Sequence, residues 1–335
     1  MLTKIRPVVD KKYAVICIYS LRPSHKGEGA RRIMKKTAGK AAFGAAIVVG
    51  AALSGCGGSS NSGGPVPPPI VPLASTNLIG LTTNNQLVSF NSATPGTLSA
   101  TRAITGLQAN ETLLGIDTRT ATNELFALSD NLRLYRLNAG TGAATFIGQA
   151  TLPTAVGTAI GFDFNPAVDR IRVVTDTGLN FRINPNTGAV VDFDANPANG
   201  TQLDGALNYK AGDTNAGDAV QGVGAGYTRS RNPAPVATDT QLFVIDAAND
   251  VLALQAPPNE GVLTTIGSLG VNIGSQIGFD IVSDTTVNNQ GVGIAAFNVG
   301  NTSRLYSINL QTGLATNRGD LGNGNVTITD IAVRP

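Results

Sequence analysis

Three aspartates recur with their surroundings. Asp117, Asp163 and Asp280 each stand two residues after a glycine, in LLGID (113–117), AIGFD (159–163) and QIGFD (276–280). The same frame carries Gly224 in VQGVGAG (220–226). In the closing ITDIAV (328–333) it carries Ala332, and Asp330 stands in the place of the glycine. Carboxylates at one position of a repeated strand meet wherever those strands converge. Three together offer hard oxygen ligands of the kind Ca²⁺ gathers in sets of about six to eight. The plainer expectation is that each aspartate accepts N–H groups at the first turn of its own unit, as in Asp163-Phe164-Asn165-Pro166. The plainer reading is the default. Asp117, Asp163 and Asp280 remain candidate ligand or metal residues, with Ca²⁺ the ion such a site would take; no other cofactor is expected.

Arginine is the other group with chemistry to offer. Beyond residue 55 the chain has twelve Arg and a single Lys, Lys210. Arg133, Arg136, Arg172 and Arg182 fall within strand-like segments, where they would either grip a phosphate or carboxylate bidentately or form salt bridges to Asp130, Asp169 and Asp176. The run Asp192-Phe-Asp194-Ala-Asn196 imitates the start of a calcium loop. Pro197 at its sixth position and Leu203 at its twelfth reject an EF-hand. No P-loop or Rossmann fingerprint is present, since Gly222-Val-Gly224-Ala-Gly226 opens no helix.

The amino-terminal quarter reads as an address. From Met34, Lys35, Lys36 and Lys40 precede the apolar run Ala41–Ala52, and Leu53-Ser54-Gly55-Cys56 closes it. Twelve residues rise about 18 Å as a helix, short of a bilayer core of about 30 Å. The segment therefore reads as a signal peptide, with small residues before a cysteine in the manner of a bacterial lipobox. Cys56 would then carry the lipid and begin the mature chain. Residues 1–33 fit no export pattern, so Met34 is read as the start; Arg31-Arg32-Ile33-Met34-Lys35 leaves a twin-arginine signal as the alternative. Residues 1–55 form this extension and signal. Residues 56–76 form a lipidated Gly/Ser/Pro-rich tether, and 77–335 the folded domain. Cys17 and His25 are removed with the signal, which excludes a Ser-His-Asp triad and a His-based zinc site from the mature chain. Gly57, rather than Asp, follows Cys56, which by resemblance to other lipoproteins implies outer-membrane placement.

Charge agrees with that partition. The whole chain has 24 Lys+Arg against 22 Asp+Glu in 335 residues. Eleven of the basic residues and only two acids lie in residues 1–55, so the remainder is acidic, with thirteen basic groups against twenty. Such a body lacks the electrostatic footprint of a nucleic-acid binder.

The elements that position the aspartates repeat as well. Five segments read as a strand, a turn ending in glycine and a second strand: LVSFNSATPGTLSA, LYRLNAGTGAATFIG, FRINPNTGAVVDF, LALQAPPNEGVLTTIG and LYSINLQTGLATNRG. Their turn glycines are Gly96, Gly142, Gly188, Gly261 and Gly313, each expected to supply positive φ; Asn138, Asn184 and Asn309 stand four residues before three of them. Before each of the last four hairpins comes another apolar segment: NELFALS (123–129), DRIRVVT (169–175), TQLFVID (240–246) and GVGIAAF (291–297). The marker glycines Gly115, Gly161, Gly222 and Gly278 recur every 46 to 61 residues, where innermost strands would approach one another closely. Four-stranded antiparallel units at this period predict an all-β, five-bladed β-propeller. One blade is completed from both termini, with Ile331 beside Ile79, and Asp192–Asp218 is read as a loop insertion in blade three.

The markers, the NxxTG hairpins, DGALNYKAGDTNAGD (204–218) and GYTRS (226–230) together resemble the bacterial family called domain of unknown function 4394, over roughly residues 77–335. That resemblance implies an exported β-propeller-like protein and names no activity. The expected function is a non-enzymatic, lipid-anchored binding or scaffolding module of the cell envelope. It would be monomeric, with the membrane and an unknown protein or small molecule as partners. The alternative is a Ca²⁺-dependent propeller hydrolase or lactonase-like enzyme using the inner-strand aspartates.

Overall fold

A computed structural model describes residues 73–194, 196–230, 240–282, 291–300 and 302–334. The export signal, Cys56 and the tether as far as residue 72 lie outside the described residues.

Among the described residues, twenty strands form five sheets. Near the amino terminus come β1 (Asn77–Thr82), β2 (Gln86–Asn91) and β3 (Leu98–Ala103). The second sheet is β4 (Leu113–Arg119), β5 (Glu124–Ser129), β6 (Arg133–Leu137) and β7 (Ala144–Gln149). The third has β8 (Ile160–Asn165), β9 (Arg170–Thr175) and β10 (Asn180–Ile183). The short β11 (Asn208–Tyr209) precedes β12 (Gly222–Tyr227), β13 (Leu242–Asp246), β14 (Val251–Gln255) and β15 (Val262–Ser268) of the fourth. The fifth is β16 (Ile277–Val282), β17 (Val292–Val299), β18 (Thr302–Ile308) and β19 (Ala315–Asp320). Finally β20 (Ile328–Val333) returns to pair antiparallel with β1, placing Ile331 opposite Gly80 and Ala332 opposite Ile79. The first and last described strands thus build blade one, and the ring has no free seam.

The innermost strands adjoin in the order β20, β4, β8, β12, β16 and back to β20. The buried apolar residues fall into five clusters, one per seam. Phe126, Phe162 and Phe164 fill the seam of blades two and three; Phe243, Phe279 and Phe297 fill that of four and five. Strands with neighbours on both flanks have unbroken apolar runs, as Leu125–Leu128 of β5 and Leu242–Ile245 of β13 do. The chain is a five-bladed propeller because its sheets have two apolar faces and find cover only in each other.

The outer hairpins interlock too. Gly142 sits at φ +81°, and a Cβ there would lie 2.2 Å from the Ala103 carbonyl oxygen at the end of β3. Only glycine permits that turn and that approach. Gly188, Gly261 and Gly313 also take positive φ, whereas Gly96 does not. At Gly96 the constraint is space, because a Cβ would meet the Asn323 side chain at 2.6 Å.

Blades three and four depart from the four-stranded expectation. After the Gly188 turn, the segment predicted as a fourth strand keeps the bridge of Ile183 to Val190 and the bonds from Asn184 N–H to Ala189 O, 2.9 Å, and from Val191 N–H to Arg182 O, 2.8 Å. The chain then leaves to form the 192–218 segment. That segment is more than a loop, since Asn208 and Tyr209 pair in parallel with Val262 and Leu263 and give blade four a fifth strand. Thr105 pairs in parallel with Ala143 at the corresponding place in the blade one and two seam. The insertion is a longer form of that interlock.

Candidate functional site

The inner strands bring Asp117, Asp163 and Asp280 together: one oxygen from each lies within 4.8 Å of the others. All three are buried. Glycines make this convergence possible. A Cβ on Gly161 would fall 2.4 Å from Ala225 N, and one on Gly278 would fall 2.4 Å from Ile331 N, each in the next inner strand. In blade four the corresponding contact belongs to Gly224, 2.9 Å from Phe279 Cβ, while Gly222 faces the Leu207 side chain.

The carboxylates bond across seams. Phe164 N–H donates to Asp117 Oδ2 at 2.7 Å, Tyr227 N–H to Asp163 Oδ1 at 3.0 Å, and Val333 N–H to Asp280 Oδ2 at 2.6 Å. Thr118 N–H and Ile281 N–H supply second, local bonds to Asp117 Oδ1 and Asp280 Oδ1. The turn-bonding expectation is therefore half right: the local bond exists at two positions, and the other joins blades. Asp330, which had no role in the sequence reading, does the same. Its Oδ2 accepts Ile116 N–H at 2.7 Å and its Oδ1 accepts Ile331 N–H at 2.8 Å. The signal was present as an aspartate in the glycine position. Four of the five seams are thus tied by a carboxylate; between β12 and β16, Gly224 and Gly226 pack on Phe279 and Ile281.

Burial pushes Asp117, Asp163 and Asp330 well above the ordinary carboxylate range. Charge repulsion adds to it: Asp280 acts on Asp117, Asp117 and then Asp280 on Asp163, and Asp280 on Asp330. One oxygen, Asp163 Oδ2, is buried with no partner among the described residues. As a cation site the cluster has the right oxygens, but five of the six already accept backbone N–H groups, and Asp163 Oδ2 alone is left over.

Two seams open into clefts at the face where the inner strands end. Between blades one and two, a cleft of about 590 Å³ is lined by Ile79, Thr118, Glu124, Arg136, Asn138 and Arg334, among others. Between blades three and four, a cleft of about 330 Å³ is lined by Asn165, Arg170, Arg172, Arg182, Tyr227 and Asn259, among others. The four sequence-flagged arginines are all paired, although not with the predicted acids. Arg133 reaches Glu111, Arg136 reaches Glu124, and Arg172 and Arg182 share Asp204. Asp169 instead binds Arg119. The Asp192–Asn196 run behaves as a plain loop, its carboxylates accepting Gln202 and Asn196 N–H groups.

Residues 86–332 match the family described as Domain of unknown function (DUF4394). The chain belongs to that family. Asp204 and Tyr227, from the two stretches that carry the resemblance, both bond Arg172, which lines the smaller cleft. Among curated proteins the DUF4394 chain finds no match. Among solved structures it is similar to a chain of the "Crystal structure of Nidogen/Laminin Complex", at 8% identity and TM-score 0.44, covering 78% of this chain and 98% of that one. It is also similar to a structural genomics protein of unknown function from Bacteroides thetaiotaomicron VPI-5482, at 15% identity and TM-score 0.41, covering 72% of this chain and 55% of that one.

Proposed function

We propose that this DUF4394 chain is a binding module of the bacterial envelope, held to the outer membrane by a lipid on Cys56 and displayed on the tether of residues 56–76. One observation carries the binding reading. The two clefts open on the same face of a ring that is clasped at both termini and tied at four seams, so they are preformed. A rigid receptor surface loses little entropy when a partner docks. The tether extends about 3.1 Å per residue where it is proline-rich and would set the ring away from the bilayer.

The test is fractionation and capture with the full chain. Wild-type protein should be recovered with membranes and the Cys56→Ser variant in the soluble fraction. Crosslinked wild-type protein should retain an envelope component that the free variant, without the membrane, binds more weakly. Equal fractionation of the two would remove the anchor. Turnover of an ester or lactone substrate without a retained component would remove the module.

A second reading, the Ca²⁺-dependent hydrolase, has the convergence of Asp117, Asp163 and Asp280 in its favour. Their burial speaks against a substrate reaching such an ion. A thermal shift on adding about 1 mM Ca²⁺, near the weak end of protein calcium sites, would support it, and no shift would remove it.

A further inference from the structure

We infer that the cleft between blades three and four binds a small organic oxyanion, a carboxylate or phosphate ester of low molecular weight. Charge balance carries the inference. Arg172 is fully buried: its Nη1 donates to Asp204 Oδ2 and to Asn180 Oδ1, its Nη2 to Asn259 Oδ1, and its Nε to the Tyr227 hydroxyl. Arg182 grips the same carboxylate, with Nε and Nη2 each 2.8 Å from an Asp204 oxygen. One acid therefore serves two guanidiniums. A third, Arg170, stands beside them with Nη1 on the carbonyls of Val168 and Asp169. The neighbouring acids are engaged elsewhere. The Asp169 carboxylate holds Arg119, and Asp192 turns its carboxylate to Gln202 N–H while giving Arg182 only its carbonyl.

A guanidinium cannot shed its proton to relieve the imbalance, and the buried Arg172 shares its one counter-charge with the partly exposed Arg182. The cleft thus has two formal positive charges more than it has carboxylates. Donors also remain. Neither Arg182 Nη1 nor Arg170 Nη2 has a hydrogen-bond partner among the described residues, and the Tyr227 hydroxyl, an acceptor from Arg172, keeps its own proton to donate. Two free guanidinium nitrogens and a hydroxyl around about 330 Å³ suit an oxyanion on a small body. The floor is rigid, because Asn180 is also bonded to the Gly205 and Pro258 carbonyls. This inference goes beyond the module reading and does not require the membrane or a macromolecular partner.

The test is calorimetric titration of the detergent-solubilised full chain at low salt with two probes, inorganic phosphate and succinate. At least one should bind with a Kd of about 1 mM or tighter and weaken as salt is raised. Arg170→Gln should weaken it by at least about tenfold, since a charged fork is lost. Its melting temperature should not fall, because Arg170 bonds only turn carbonyls and adds to the excess charge. Tyr227→Phe should also weaken binding while keeping the ring, and Arg136→Gln, in the other cleft, should not. The stronger probe decides between a phosphate ester and a carboxylate. No binding of either probe, or binding undiminished in both Arg170→Gln and Tyr227→Phe, overturns the inference. Should the probes overturn the anion site, an envelope component still captured by the wild-type chain would leave the module reading standing.

Discussion

The propeller holds two buried clusters of like charge, and they are resolved in opposite ways. On the axis, Asp117, Asp163, Asp280 and Asp330 receive N–H groups from the next inner strand. In the blade three and four seam, Arg172 and Arg182 divide one carboxylate between them. A carboxylic acid relieves crowding by taking up a proton, and the raised affinity of Asp117, Asp163 and Asp330 for protons is that relief. Arginine has no such outlet. The axis can therefore be complete without a ligand, while the cleft keeps more guanidiniums than carboxylates, an excess that the inferred anion would balance. The same residues that tie the ring serve stability; those in the seam are the better place to look for binding.

Breaking the cleft should have the largest effect. Asp204 has a fully buried side chain and is the counter-charge for both arginines. Asp204→Asn leaves Arg172 with Asn180, Asn259 and Tyr227 as neutral partners only. Removing one partner of a buried ion pair costs about 3–5 kcal/mol, and chemical denaturation should show a loss of that order. A loss below about 1 kcal/mol, the range of exposed pairs, would mean that the seam is wet and that its charge needs no ligand.

Breaking the axis should cost less and depend on which aspartate is chosen. Asp117 accepts N–H groups on both oxygens, so Asp117→Asn turns an amide donor toward a backbone donor and should cost about 1–3 kcal/mol. Asp163 accepts on one oxygen only, and its other oxygen is unpartnered. In Asp163→Asn the amide can take that place facing the neighbouring carboxylates, so stability at neutral pH should be equal to or above wild type. The pH dependence follows in sign. Folding raises the proton affinity of Asp117, Asp163 and Asp330, so their stabilising contribution is full below the unfolded value, about 3.9, and is lost as pH rises through the raised folded values. Melting temperature should fall toward alkaline pH, and less steeply in Asp163→Asn. A wild-type profile that rises over that range would mean a cation, not protons, balances the axis.

How much of this was written in the sequence depends on distance along the chain. Periodic features were legible. The hairpin turns and marker glycines predicted five blades, and the pairing of Gly80 with Ile331 closes the ring as the end segments required. The three inner aspartates were legible as a set because the repeat places them in one frame. What was lost is contact between unlike positions. Asp204 lies in the stretch without a period, and the nearest acids in sequence were the wrong partners for Arg172 and Arg182. Asp330 tied to Ile116 spans 214 residues and sits off the frame of the other three. The parallel bridge at Asn208–Tyr209 is two residues long, too short for any alternation to mark it.

The smallest effect sharpens the comparison from the other cleft. Arg136 and Glu124 line the larger opening between blades one and two, bonded at 2.9 Å with side chains 47% and 37% exposed. Each arm of this pair keeps water, so the ion pair exchanges one solvated state for another and entropy offsets most of the attraction. Arg136→Gln should change stability by about 0–1 kcal/mol, and raising salt should reduce even that. The double variant Arg136→Gln with Glu124→Gln should match the sum of the singles to within about 0.5 kcal/mol. A coupling of several kcal/mol would place this cleft with the buried seam rather than with solvent. Charge would then have to be counted there as it is around Arg172, with Arg334 on the same wall included.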